Sequence, residues 1–92
     1  MQESRKIVLA VVSRADANHI TDALVAHQYS VTRMSSTGGF FRRGSVTLIV
    51  GVNESDVPSV LDVIRFACRS SSQPEQSRAT IYVLNTNLFE QT

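Results

Sequence analysis

Three short β-branched runs constrain the fold of this chain more tightly than anything else in it. They are Ile7-Val8-Leu9-Ala10-Val11-Val12, Val46-Thr47-Leu48-Ile49-Val50-Gly51-Val52 and residues 79–84. Each suits a pleated, covered surface and is too short for a typical helix. Between the first and second runs, Ala17, Ile20, Ala23 and Leu24 recur at helical spacing, while Asn18, Thr21 and Asp22 take other faces. Between the second and third, Val57, Val60, Leu61, Ile64 and Cys68 fall at i, i+3, i+4, i+7 and i+11, one apolar stripe. Ser13 or Asp16 can cap the first helix, which His27-Gln28 ends. Ser55 or Asp56 can cap the second, where Pro58 fits the first turn. Residues 29–34 read as a further strand with Tyr29, Val31 and Arg33 on one side and Ser30, Thr32 and Met34 on the other. That mixture suits an edge or a site.

The order is therefore β-α-β-β-α-β, the split βαβ arrangement of ferredoxin-like folds. The expected class is α+β: a four-stranded antiparallel sheet with two helices on one face and the other face open. An open sheet face on so small a protein invites association. The 92 residues make one domain, 1–92, with a single two-layer core. A formal net charge of +1 argues against broad electrostatic binding of nucleic acid. The run 7–12 is too short to span a membrane and shows no signal-peptide pattern, so a cytoplasmic protein without membrane insertion is expected. The single cysteine, Cys68, cannot form an intramolecular disulfide and reads as a buried, inert thiol.

Between the second and third strands lies Ser36-Thr37-Gly38-Gly39-Phe40-Phe41-Arg42-Arg43-Gly44. Glycines let backbone N–H groups approach a ligand, aromatic faces stack on bases, and arginine complements phosphate. These are the parts of a nucleotide pocket. The same residues also suit a hairpin connection with solvated arginines and tucked aromatics. Gly51, inside a strand, marks a bulge or a close approach. Asp16, Asp22, Asp56 and Asp62 read as caps and solvated helix positions rather than catalytic pairs. His19 and His27 diverge by about 80° on a helix and do not converge on a metal. No catalytic residue, metal or cofactor is expected. The third strand lacks the aromatics of an RNA-binding sheet. Acylphosphatases share the element order, but Ser13-Arg14-Ala15-Asp16 lacks the glycines that wrap a phosphate.

From Thr37-Gly38-Gly39-Phe40 with Arg42 and Gly44, the chain resembles the PII-like cyclic di-AMP receptors. The likeness extends to the first strand, Asp16-Ala17-Asn18, Val31-Thr32, Gly51-Val52, Cys68-Arg69 and Phe89-Glu90-Gln91. It implies a homotrimeric, non-enzymatic signalling protein with cyclic di-AMP or a related adenine nucleotide as regulatory ligand, bound between subunits, and a protein partner. Ligand contacts would come from Thr32, Gly38, Gly39, Phe40, Phe41, Gly51 and Gln91, joined by Gln28, Ser30, Arg42 and Ser45. The family usually has Asn at the positions of Gln28 and Ser45, and Arg at that of Ser30. Arg33, at odd spacing from Ser30, faces the other side of the strand and so is badly placed to replace that arginine; Arg42 and Arg43 depend on the loop. The polar loop 70–77 is shorter than the Pro- and Gly-rich segment of the family's dinucleotide binders. These departures leave open the alternative of a PII-like trimer that has lost cyclic di-AMP and serves as a protein-interaction module or binds another small anion.

Overall fold

The computed structural model describes residues 5–35, 45–69 and 79–86. Its elements run β1 (Arg5–Ser13), α1 (Arg14–Ala26), β2 (Val31–Ser35), β3 (Ser45–Asn53), a 3-10 turn (Glu54–Asp56), α2 (Val57–Arg69) and β4 (Ala79–Asn85). The four strands form one sheet in the order β2-β3-β1-β4, with every neighbouring pair antiparallel. This is the expected ferredoxin-like arrangement.

Alternation divides the sheet, although Thr47, on the face of β3 opposite Leu48, is also buried at 8% exposure. Val8, Ala10 and Val12 of β1 and Val46, Leu48, Val50 and Val52 of β3 are buried in one cluster with Ala17, Ile20 and Leu24 of α1 and Val60, Val63, Ile64 and Ala67 of α2. Both helices therefore cover the same face. The stripe read on α2 is rotated in the folded chain. Val63 and Ala67 join the core, whereas Val57, Leu61 and Cys68 are only partly buried against it. The Cys68 thiol is thus half-buried rather than sequestered.

Local chemistry sets the element ends. Ser13 caps α1, its Oγ accepting from the Asp16 backbone N–H at 3.2 Å and donating to Asp16 Oδ2 at 2.9 Å. Ser55 and Asp56, read as caps, lie instead within the 3-10 turn before α2. At the other end of α1, Gln28 N–H donates to the Val25 carbonyl (2.8 Å) and Tyr29 N–H to that of Leu24 (3.0 Å), with Gln28 at φ 69°. These bonds form a Schellman motif, whose left-handed position normally goes to glycine or asparagine. β2 consequently begins at Val31, two residues later than the alternation suggested, and Tyr29 donates its hydroxyl proton to Ser59 Oγ at 2.9 Å.

Candidate ligand-binding site

The face of the sheet turned away from the helices is apolar at its centre. Register places Thr32, Ile49, Leu9 and Tyr82 in one row across all four strands, and Met34, Thr47, Val11 and Thr80 in the next. Gly51, Ile7 and Leu84 form a third row. Tyr82 and Met34 stay 53% and 51% exposed.

One corner of this face turns polar, and several of the expected ligand residues meet there. Thr32 lies on the open face diagonal to Gly51, since its direct partner is Ile49. Ser30 stands one residue before β2, where continued register would set it opposite Gly51. Arg33 points the other way: its Nη1 donates to Asn18 Oδ1 on α1 at 2.6 Å. The reading of Arg33 as turned from Ser30 and Thr32 agrees with the fold. Gly51 does not mark a bulge, because the β1–β3 ladder runs through it unbroken from Arg5↔Asn53 to Ser13↔Ser45. What comes close is a side chain, as Arg5 Nη2 lies 3.6 Å from where a Cβ on Gly51 would stand. Ser45 sits half-buried at the opposite end of β3. Gly38, Gly39, Phe40, Phe41, Arg42, Gln91 and the loop 70–77 lie outside the described residues.

A model of the cyclic-di-AMP receptor family matches residues 5–92. The chain belongs to that family. A protein of Pediococcus pentosaceus described as functionally unknown is 31% identical with a TM-score of 0.78, the match covering 99% of this chain and 100% of that one. The PII protein of Arabidopsis thaliana, solved with citrate, superposes with a TM-score of 0.71 at 21% identity, over 91% of this chain and 76% of its own. A Shewanella baltica protein matches at 0.67 with 7% identity, over 99% and 97% of the two chains. The last two likenesses concern the fold alone, and that fold is PII-like.

For a cyclic-di-AMP receptor relative, Gln28 acquires a reading that sequence could not supply. The left-handed backbone there favours glycine or asparagine over glutamine, so position 28 meets a conformational demand apart from any ligand contact. Two further features escaped the sequence reading. A groove of about 630 Å³ opens between α1 and α2, lined by His27, Ser59, Asp62 and Phe66 among others, with Phe66 71% exposed. It lies on the helical layer, away from the open sheet face. No periodicity signals it, because its lining comes from the end of α1 and from α2 with the turn before it, far apart in sequence. The second feature is Arg5, placed beside Gly51 only by the register of β1 on β3. Among the described residues no group of three His, Cys, Asp or Glu is arranged to hold a metal ion, and no helix is long and apolar enough to cross a membrane.

Proposed function

We propose that this PII-like signalling protein works in the cytoplasm as a homotrimer, binds cyclic di-AMP or a related adenine nucleotide in clefts between subunits, and relays that state to a protein partner. It acts by binding rather than catalysis. The observation that carries the reading is the open sheet face: an apolar centre of Leu9, Val11, Ile49 and Tyr82 suited to subunit packing, ending in a polar corner at Thr32 and Gly51. Gly51 stands six positions beyond Ser45 on β3, about 20 Å at the rise of a strand. A loop rooted at Ser35 and Ser45 would therefore most directly meet the Gly51 corner of a neighbouring protomer. In this reading Gly38 to Phe41 supply backbone N–H groups and an aromatic face to adenine, and Gln91 reaches the base or ribose.

Calorimetric titration with cyclic di-AMP, ATP and ADP, on material sized by light scattering, tests it. A particle of three chains with saturable cyclic di-AMP binding is expected; a monomer would remove the pocket. Phe40→Ala should weaken binding by roughly tenfold or more, given that base–aromatic stacking contributes ~1–3 kcal/mol, with the melting temperature nearly unchanged. A large fall in melting temperature would make Phe40 a core residue.

A second reading is favoured by the commitment of Arg33 to Asn18 and by Ser30 at a position where relatives carry Arg. In it the trimer has lost cyclic di-AMP and binds another small anion or a protein. Absence of heat with cyclic di-AMP, ATP and ADP alike from a particle of three chains would select it.

A further inference from the structure

Three basic side chains stand on the described strands near the Gly51 corner, and their surroundings differ sharply. Arg33 is bonded to Asn18 on the helix side. Lys6 also belongs to the helix side, where it bonds Asn85 and lies 3.9 Å from Glu54 Oε1. Arg5 alternates onto the open face. Its Nη1 donates to Asn53 Oδ1 at 3.3 Å, and its Nη2 reaches across to Gly51. Among the described residues it forms no ion pair.

A neutral asparagine orients a guanidinium without cancelling its charge. Since the group carries five N–H donors, most of the fork is left for an acceptor. The missing Cβ at Gly51 keeps the space beside that fork open, and Thr32 adds a hydroxyl on the same face. We propose that Arg5 is the phosphate-contacting residue of this site, the cation that holds the anionic part of the ligand. This rests on the reading that the Gly51 corner binds a phosphate-bearing ligand. It adds which residue bears the charge. Since a Cβ on Gly51 would meet the Arg5 head group only in ordinary contact at 3.6 Å, the glycine serves the phosphate beside the fork rather than the guanidinium itself.

The experiment compares wild type, Arg5→Gln and Arg5→Lys, with Phe66→Ala as a control outside the corner. Cyclic di-AMP is titrated by calorimetry at two salt concentrations, and inorganic pyrophosphate, a phosphate probe without adenine, by NMR of the arginine side chains. Charge-assisted hydrogen bonds of this kind lead us to expect about a ten- to hundredfold loss for Arg5→Gln. Arg5→Lys keeps the charge but not the fork and should lose less. Wild-type affinity should also fall more steeply with salt than that of Arg5→Gln. Pyrophosphate should shift the Arg5 guanidinium resonances.

Equal cyclic di-AMP affinity in wild type and Arg5→Gln overturns the assignment while leaving the proposed function intact. Pyrophosphate binding that needs Arg5, without any cyclic di-AMP binding, upholds the assignment and sinks the adenine reading. Binding of neither probe by wild type overturns both. Unchanged melting temperature and particle mass in Arg5→Lys separate a ligand role from a structural one.

Discussion

On the helix-covered face of the sheet, Val8, Ala10, Val12, Leu48 and Val50 are at most 2% exposed. One residue away along the same strands, Ile7, Leu9, Val11 and Ile49 are only half-buried, and Met34 and Tyr82 are more than half exposed. At the centre of β1 and β3 the side chains on the two faces are of similar kinds, Leu9, Val11 and Ile49 against Val8, Ala10 and Leu48, so hydrophobicity does not separate them there. Coverage does. The first face is completed by this chain's own helices, while the apolar centre of the second, around Leu9, Val11 and Ile49, is left only partly covered by the described residues. The proposed trimer would use this face, since an exposed apolar patch of this sort suits packing against another copy. In the proposed trimer the polar corner at Gly51 would fall at the margin of that packing, within reach of a ligand held by two protomers.

The comparison breaks or holds on two substitutions of similar size of insult. Leu48→Ala, on the covered face, should cost about 2–5 kcal/mol through lost burial and the cavity left behind. Chemical denaturation would read this as a large fall in midpoint at unchanged slope; a loss well under 1 kcal/mol would mean the two faces are not so different. Ile49→Lys, next in sequence and on the open face, should leave the circular dichroism of the protomer largely intact but cut the scattering mass from three chains to one. Retention of the trimer would place the subunit contact elsewhere. Unfolding of the chain would show that the open face is needed for the protomer itself.

These two neighbours also show what sequence could and could not convey. The apolar β-branched run around Leu48 and Ile49 made the strand legible, and alternation in residues 29–34 correctly separated Thr32 from Arg33. The helical stripe on α2 was less legible. Val63 and Ala67 pack into the core at i+3 and i+7 from Val60, a spacing as helical as the stripe drawn from Val57, while Phe66, the largest apolar side chain on that helix, is exposed. Arg5 was invisible as a site residue, since it sits in a polar lead-in and acquires meaning only when β1 pairs with β3 in the register Arg5↔Asn53. Tertiary pairing of residues far apart in sequence leaves no local signature.

The smallest effect concerns the junction between the two layers, where α1 ends and β2 leaves for the edge of the open face. Gln28 holds φ 69° there and so carries a side chain where the Schellman turn favours glycine. A left-handed backbone costs an L-residue roughly 1–2 kcal/mol, of which glycine's larger unfolded-state entropy offsets about 0.5–1. Gln28→Gly should therefore stabilise the protein by about 0.5–1 kcal/mol, a rise of roughly 2–8 °C for a domain of this size. If position 28 serves only the turn, nucleotide affinity measured by calorimetry will stay within about threefold while the melting temperature rises. If affinity falls instead, the Gln28 side chain belongs to the ligand site, and the polar corner extends from Gly51 and Ser30 to the very end of the helical layer.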